Sequence, residues 1–476
     1  MPPVRKETLW NVSQLRPYLG RVKDMSQVHA VMNLSTGLSL GTHVFCGTGM
    51  HAHNDQTDAG SLAYHIKKSR KIAIQSAPSG GKTLALLALC SRIASGMAQQ
   101  LPDHLENKLP IFIDCKSVDR NLLHQCATLE DYVVRMAADL HADTVEDYEA
   151  KLRAWVKTGN VALLIDDLDS LSHEEQGTVI SWATTCEQTT AIITVTCWSC
   201  LESSEVFHRL ELSELSAGVR AEAAHHWINS AHSVGSNEKA TKFLKLVKEN
   251  SAISELSKSP FWLNLMLNVY SRDGLIPNGR HDLMRSFIHA ALGRSHKLDR
   301  SVIAIGYPAL SQWLGEAAWT LVYGAEQGSV TSFTGEELKD RLIKLMSHSN
   351  QMHKDEADIV EAAFRWVTKG ACLVKELGNG RFCFNGQPLA QYLASHYLSQ
   401  QVATPSFVLN KPSCKIPPAM LSELSANASL SPVLEMMLEH LAKRYSKEWP
   451  PEIVRMAFDT GTSDFCIRAK SKWLGT

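Results

Sequence analysis

Between Lys71 and Leu89 the chain reads KIAIQSAPSGGKTLALLAL: a short apolar run, a loop of small residues and a long apolar run, in immediate succession. That order predicts a buried strand, a tight turn and a helix, which is how a phosphate-binding loop is built. The pattern for such a loop asks for Gly, four free positions and then Gly-Lys-Ser/Thr. Here Gly81, Lys82 and Thr83 are in place, and Ser76 stands where the first Gly belongs. Backbone N–H groups from Ser79 through Gly80 and Gly81 to Thr83 would face a phosphate at the positive end of the helix. Lys82 would reach the outer phosphate oxygens, and the Thr83 hydroxyl would hold Mg²⁺. The plain alternative is a Gly-containing turn with a chance Lys-Thr pair. The strand and helix flanking the loop, each where the motif needs it, argue against that alternative. Ser76 occupies a position whose backbone geometry is easiest for Gly, so it implies an altered or mildly strained loop.

A chain of 476 residues exceeds one compact core and predicts two to four domains. A formal charge of -1 gives no global electrostatic case for nucleic acid or an acidic membrane surface. The 11 Cys are scattered without framework spacing and read as reduced thiols. The opening MPPVRKETLW has no apolar signal core, and no apolar run reaches the length of a membrane span, so a cytoplasmic location is expected.

Residues 1–60 carry no readable chemistry; His51, His53 and Asp55 are close in sequence, but their Gly-rich surroundings read as a polar loop rather than a metal site. Leu62 to Ile66 read as a helix, and the following Lys67, Lys68, Arg70 and Lys71 as its solvated basic end. After the phosphate loop, apolar strands are expected at Pro110–Asp114, Val161–Ile165 and Ala191–Thr196, with helical patterns at Leu129–Leu140 and Val145–Lys157 between them. Strands alternating with helices imply parallel βαβ units, buried on both faces.

The third of these strands ends in LLIDDLDSL, which sets Asp166 at its carboxyl end, with Asp167 and Asp169 beside it. Open α/β sheets put ligand chemistry at that end, and a carboxylate there can bind Mg²⁺. Asp is also common in turns, but a phosphate loop roughly eighty residues upstream favours the metal reading. Cys197-Trp198-Ser199-Cys200 has redox spacing without the exposed helix that such a motif heads, and reads as structural thiols. His225 and His226 fall in a helical pattern and read as surface or packing residues.

With these stretches, SKSPFWLNLML at 257–267 and RFCFNGQPLAQYLASHYL at 381–398 complete a resemblance to the NACHT class of STAND P-loop NTPases, over about residues 60–475. The C-terminal KIPPAMLSELSANASLSPVLEMML, continuing to WPPEIVRMAFDTG, is similar to the helical segment of bacterial antiviral members. The resemblance implies an α/β parallel sheet with helices on both faces, followed by helical and winged-helix domains. It divides the chain into an unassigned region 1–60, an NTPase domain 61–205, a small helical domain 206–278, a helical and winged-helix domain 279–400 and a helical tail 401–476. It places Pro260 against the bound nucleotide. It implies ATP or ADP with Mg²⁺ as cofactors, a role in innate or anti-phage defence, and a trigger or effector chain or self-assembly as partner.

The chain also departs from the family pattern at several positions. Ser170 follows Asp169 where a Glu is expected; Trp198 stands at a sensor Arg; Gly386 takes the place of a phosphate-directed His; and a Gln-Glu pair becomes Ala390 and Gln391. Binding groups therefore remain while groups for hydrolysis are thinned, with Asp169 left as the candidate to orient water. Two readings stand: a nucleotide-dependent switch with slow turnover at most, and a scaffold that keeps the fold and binds nucleotide structurally or not at all. A motor of the AAA+ kind is weaker, because no arginine finger can be identified.

Overall fold

The computed structural model describes residues 50–445 except 53–54, 61, 77–79, 95–102, 106–107, 117, 139–144, 202–204, 232–235, 294–299, 327–331, 349–355, 372, 379, 385, 402–422, 425–426 and 428–429. Ser79, His53, most of the N-terminal region and the WPPEIVRMAFDTG stretch lie outside the described residues. Among the described residues no helix is long and apolar enough to cross a membrane. The chain divides into two compact units, Met1–Ile276 and Pro277–Thr476.

The first unit holds a 7-stranded sheet. Its strands are β1 (Met50–Ala52), β2 (Asp55–Gly60), β3 (Lys71–Gln75), β4 (Leu109–Asp114), β5 (Val161–Asp166), β6 (Thr190–Val195) and β7 (His208–Leu212), in the order β2-β1-β7-β3-β6-β5-β4. From β7 to β4 every pairing is parallel, and β1 adds antiparallel to β7 and to β2. All positions of β5 and β6 are buried, which is why VALLID and TAIITV read as mainly apolar runs rather than alternating ones.

Helices α1 (Leu62–Lys68) and α2 (Lys82–Ala94) flank β3 in sequence, and α2 packs on β4, β5 and β6. Between β4 and β5 run α3 (Arg120–Gln125), α4 (Leu129–Ala138) and α5 (Val145–Lys157), and α6 (His173–Thr184) leads into β6. One core gathers Tyr132, Val133, Leu152, Val156 and Trp182 of α4 to α6 against Ile111, Ile113, Leu163, Ile165 and Ile193 of the strands. The alternate residues Ala162, Leu164 and Ile192 are fully buried too, so both faces of the sheet are covered. This is the α/β parallel sheet that the sequence predicts. Ser172 caps α6 through a complete capping box with Glu175.

Three expectations change. The sheet does not end at the fourth apolar strand: β7, HRLEL, pairs with β3, past the boundary expected at 205. Residues 50–52 and 55–60, expected as a polar loop, are paired strands at the sheet edge, where neighbouring backbone rather than side-chain pattern makes the strand. Lys71 is not a solvated helix end. It is the first residue of β3, is buried, and donates to the carbonyls of Ala183 and Cys186, the latter at 3.0 Å. Ala183 lies in the last turn of α6, which leaves acceptors unsatisfied and carries partial negative charge, and Cys186 follows the residue that caps it. Burial lowers the Lys71 ammonium to about 8.

Beyond β7 the unit continues with α7 (Ala217–Ala231), α8 (Ser236–Glu249), α9 (Ser251–Ser257) and α10 (Pro260–Asp273). Asn250 caps α9 by accepting from the N–H groups of Ala252 and Ile253. α10 begins with Pro260 at its first position and ends at Gly274 with φ 68°, the usual asymmetry of proline in and glycine out.

The second unit contains α11 (Arg280–Gly293), α12 (Arg300–Glu326), β8 (Phe333–Thr334), α13 (Gly335–His348), α14 (Glu356–Arg365), β9 (Val374–Gly378), β10 (Arg381–Phe384), α15 (Gln387–Gln401) and α16 (Ser431–Tyr445). From α12 to β10 the order is helix, strand, two helices and two strands, and the strands form one sheet in the order β8-β10-β9.

α12 and α15 pack closely at Gly315, where an added Cβ would sit 2.8 Å from the Tyr397 Cβ and 3.0 Å from the Leu393 carbonyl oxygen. The Gly315→Val variant must force the two helices apart and is expected to destabilise this unit by about 3 kcal/mol, an overpacking cost. Urea unfolding followed by tryptophan fluorescence, to which Trp313 buried in α12 contributes, would measure it.

Candidate functional site

The site forms where the carboxyl ends of β3 and β5 flank β6. Gly81 carries φ 99°, a conformation that glycine adopts without strain, and the Ala85 N–H donates to the Gly81 carbonyl at 2.9 Å as α2 begins. The N–H groups of the first turn of α2 have no intrahelical acceptor and present partial positive charge to the space before the helix. Lys82 is buried, and burial lowers its ammonium below the ordinary lysine value. Its Nζ donates to the Ser76 carbonyl at 2.7 Å, so the lysine arches back over its own loop.

The Thr83 hydroxyl donates to Asp166 Oδ2 at 2.6 Å, joining positions 83 residues apart in sequence. The other oxygen, Oδ1, accepts from the Thr194 hydroxyl at 2.6 Å, and the same Thr194 oxygen accepts from the Asp167 N–H at 2.9 Å. Asp166 is thus buried at the end of β5 between hydroxyls from α2 and β6. Burial, with repulsion from Asp167 and then Asp114, raises its carboxyl to about 7, and the two hydroxyl bonds offset part of that rise. A carboxylate so placed favours an arriving cation, which would stabilise its ionised form.

Asp167 is the one non-glycine residue with positive φ among the described residues, at 52°. Its carboxylate pairs with Lys116 Nζ at 2.6 Å. Asp169 lies on the short turn that follows; its Oδ2 accepts from the Thr196 N–H at 3.0 Å, while Oδ1 is buried with no hydrogen-bond partner. Hard oxygen donors from Thr83 and Asp166, with a further carboxylate oxygen on Asp169, match the chemistry of Mg²⁺.

The structure therefore brings Lys82, Thr83, Asp166 and Asp169 to one end of the sheet, with Gly80 and Gly81 leading into α2. Pro260 is the buried first residue of α10. In the segment before it, the Lys258 carbonyl accepts from the Leu215 N–H at 2.8 Å and the Ser257 hydroxyl accepts from Arg220 at 2.6 Å. Trp198, at the expected sensor position, lies under the Arg209 guanidinium, 5.7 Å from its ring. Cys197 and Cys200 are free thiols, and burial raises Cys200 to about 11, away from the range of a redox-active thiolate.

Sequence reasoning missed Thr194 and Lys116. A hydroxyl in the middle of the apolar AIITVT run was the available signal for Thr194, although threonine in a strand ordinarily needs no such explanation. The Thr194→Val variant removes a donor to Asp166 and an acceptor for the Asp167 N–H at once. It is expected to cost about 2–3 kcal/mol in urea unfolding, because both partners are left buried and unpaired.

No protein-family profile and no curated protein sequence matches the chain. Solved structures similar to it include the Signal Transduction ATPase with Numerous Domains (STAND) protein with a tetratricopeptide repeat sensor, PH0952 from Pyrococcus horikoshii, at 14% identity and TM-score 0.35. That match covers 87% of this chain and 50% of the Pyrococcus protein, so the chain spans half the length of that relative. Cdc6p from Pyrobaculum aerophilum matches at 9% identity and TM-score 0.26, over 83% of this chain and 97% of its own. Drosophila ORC bound to DNA matches at 14% identity and TM-score 0.26, over 70% of this chain and 83% of its own.

Proposed function

We propose that this chain is a nucleotide-dependent switch of the NACHT type of STAND NTPase, binding ATP or ADP with Mg²⁺ and coupling the nucleotide to domain rearrangement or assembly. The observation that carries the reading is the meeting of Thr83 and Asp166 at 2.6 Å, directly after Lys82 at the start of α2. With its proton held by Asp166, the Thr83 oxygen keeps lone pairs for a cation, and Lys82 can exchange the neutral Ser76 carbonyl for phosphate oxygens. Bound Mg²⁺ would neutralise phosphate charge there. The order of helix, strand, two helices and two strands from α12 to β10 supports the winged-helix part of the reading.

Turnover is expected to be slow. Asp169 is the candidate that remains to orient water, since Ser170 and Trp198 stand where the resemblance calls for Glu and Arg, and neither supplies charge. A role in innate or anti-phage defence, with a trigger or effector chain or a second copy as partner, follows from the resemblance, the anti-phage part from the C-terminal stretch KIPPAMLSELSANASLSPVLEMML to WPPEIVRMAFDTG.

The test is to purify the full chain gently, denature it, identify any released nucleotide, and assay Mg²⁺-dependent ATP binding and turnover on the same preparation. Retained ADP or ATP with little turnover is the expected result. Absence of both retained nucleotide and binding of added ATP with Mg²⁺ would overturn the switch and leave the scaffold reading. Rapid steady turnover by a ring assembly would instead point to a motor.

A further inference from the structure

In the second unit, α11, α15 and α16 each turn one histidine toward a common point: His281, His396 and His440. One ring nitrogen from each lies within 4.8 Å of the others. His281 is 1% exposed, and the other two are half-buried. The rings of His281 and His440 are 4.4 Å apart between centroids, and those of His396 and His440 5.3 Å.

We propose that these histidines form a binding site for a single Zn²⁺ that fastens the three helices together, with a water molecule completing the coordination. Three histidine nitrogens plus an open position is a recurrent zinc ligand set, and imidazole suits zinc better than it suits Mg²⁺ or Ca²⁺. Tetrahedral ligation at roughly 2.0–2.1 Å puts ligand nitrogens about 3.3 Å apart. The three rings therefore need only small side-chain rotations to close on an ion.

Two further observations favour a ligand over a simple stack of buried rings. His281 Nε2 is buried and has no hydrogen-bond partner, an arrangement that costs free energy and that a metal would relieve. On the opposite side of that ring, Nδ1 faces Asp282 Oδ1 at 3.5 Å, the placement of an outer carboxylate that fixes the tautomer of a ligating histidine. The surroundings are also braced. Glu439 accepts from the His281 N–H at 3.0 Å, Glu435 pairs with Arg280 across the same helices, and Gln400 contacts His396 Nε2 at 3.2 Å.

The site is independent of the nucleotide reading and can be tested without nucleotide. The full chain, freed of metal by a chelator, would be titrated with Co²⁺ and then Zn²⁺, followed by visible and near-ultraviolet absorption and by thermal unfolding. The expected result is one equivalent of Co²⁺ giving visible bands of a four-coordinate ion, displacement by Zn²⁺, and a higher melting temperature with Zn²⁺. His440→Asn and His396→Asn should each lose these responses, lowering affinity by more than the roughly 10–100-fold typical of outer-ligand changes. His440→Cys should restore binding and add a near-ultraviolet thiolate band. Wild-type chain giving no Co²⁺ spectrum and no zinc-dependent rise in melting temperature would overturn the site. So would a thiolate band in the wild type, which would assign the metal to cysteine, or unchanged titrations in the histidine variants. The wild-type measurements decide the matter even where a variant fails to fold.

Discussion

Replacing Lys82 by alanine is expected to lower the affinity for ATP about 100-fold or more, as charge-assisted bonds worth about 1.5–3 kcal/mol each are lost. The same change should move the stability of the ligand-free chain by no more than about 1 kcal/mol, because the side chain gives up one bond to a neutral carbonyl and also its desolvation cost. This asymmetry separates a phosphate ligand from a structural lysine. Calorimetric titration with ATP and Mg²⁺, beside urea unfolding, reads both quantities. Unchanged affinity in a folded variant would remove the phosphate-loop reading.

Asp166→Asn should have opposite effects on stability and binding. The folded carboxyl is raised to about 7 from its ordinary 3.8, so between these values the folded chain keeps a proton that the unfolded chain has released. Stability contributed by this residue therefore falls as pH rises from about 4 to 7, and above that the ionised form is a net cost. Asparagine is uncharged and can still accept from one hydroxyl and donate to the other. The ligand-free variant should gain about 2 kcal/mol at pH 8 and lose this part of the pH slope, the difference in slope to the wild type isolating one residue. Mg²⁺-dependent nucleotide binding should fall at the same time. A variant that is less stable and still responds to Mg²⁺ would refute the assignment of Asp166 as a buried carboxylate kept for a cation.

What the sequence made legible was whatever depends on neighbours in the chain. PIFID, VALLID and AIITVT show as strands because burial on both faces makes most of their positions apolar instead of alternating, and Lys82 and Thr83 show because a phosphate loop fixes their spacing. Asp166 is legible because it ends such a run. β7 is not, since the five residues of HRLEL include Arg209 and Glu211 on either side of buried Leu210, and the segment becomes a strand by pairing with β3. DQTDAG likewise owes its conformation to the edge it completes. Lys116 pairs with an aspartate 51 residues away, and the three histidines come from helices far apart in sequence; neither arrangement leaves a local pattern.

The turn before α15 limits what residue 386 can be. Gly386 has φ 108°, its N–H donates to the Phe384 carbonyl at 2.8 Å, and its own carbonyl accepts from Leu389 and Ala390 as the helix begins. A Cβ there would find open space, the nearest atom being Pro388 Cδ at 3.9 Å, so volume does not forbid a larger residue. The backbone does: a histidine held at that φ would cost roughly 1–2 kcal/mol. Gly386→His should therefore lower the stability of this unit by that amount, although it removes no contact. The turn thus tolerates volume and refuses chirality: it restricts residue 386 by the handedness of the backbone rather than by crowding.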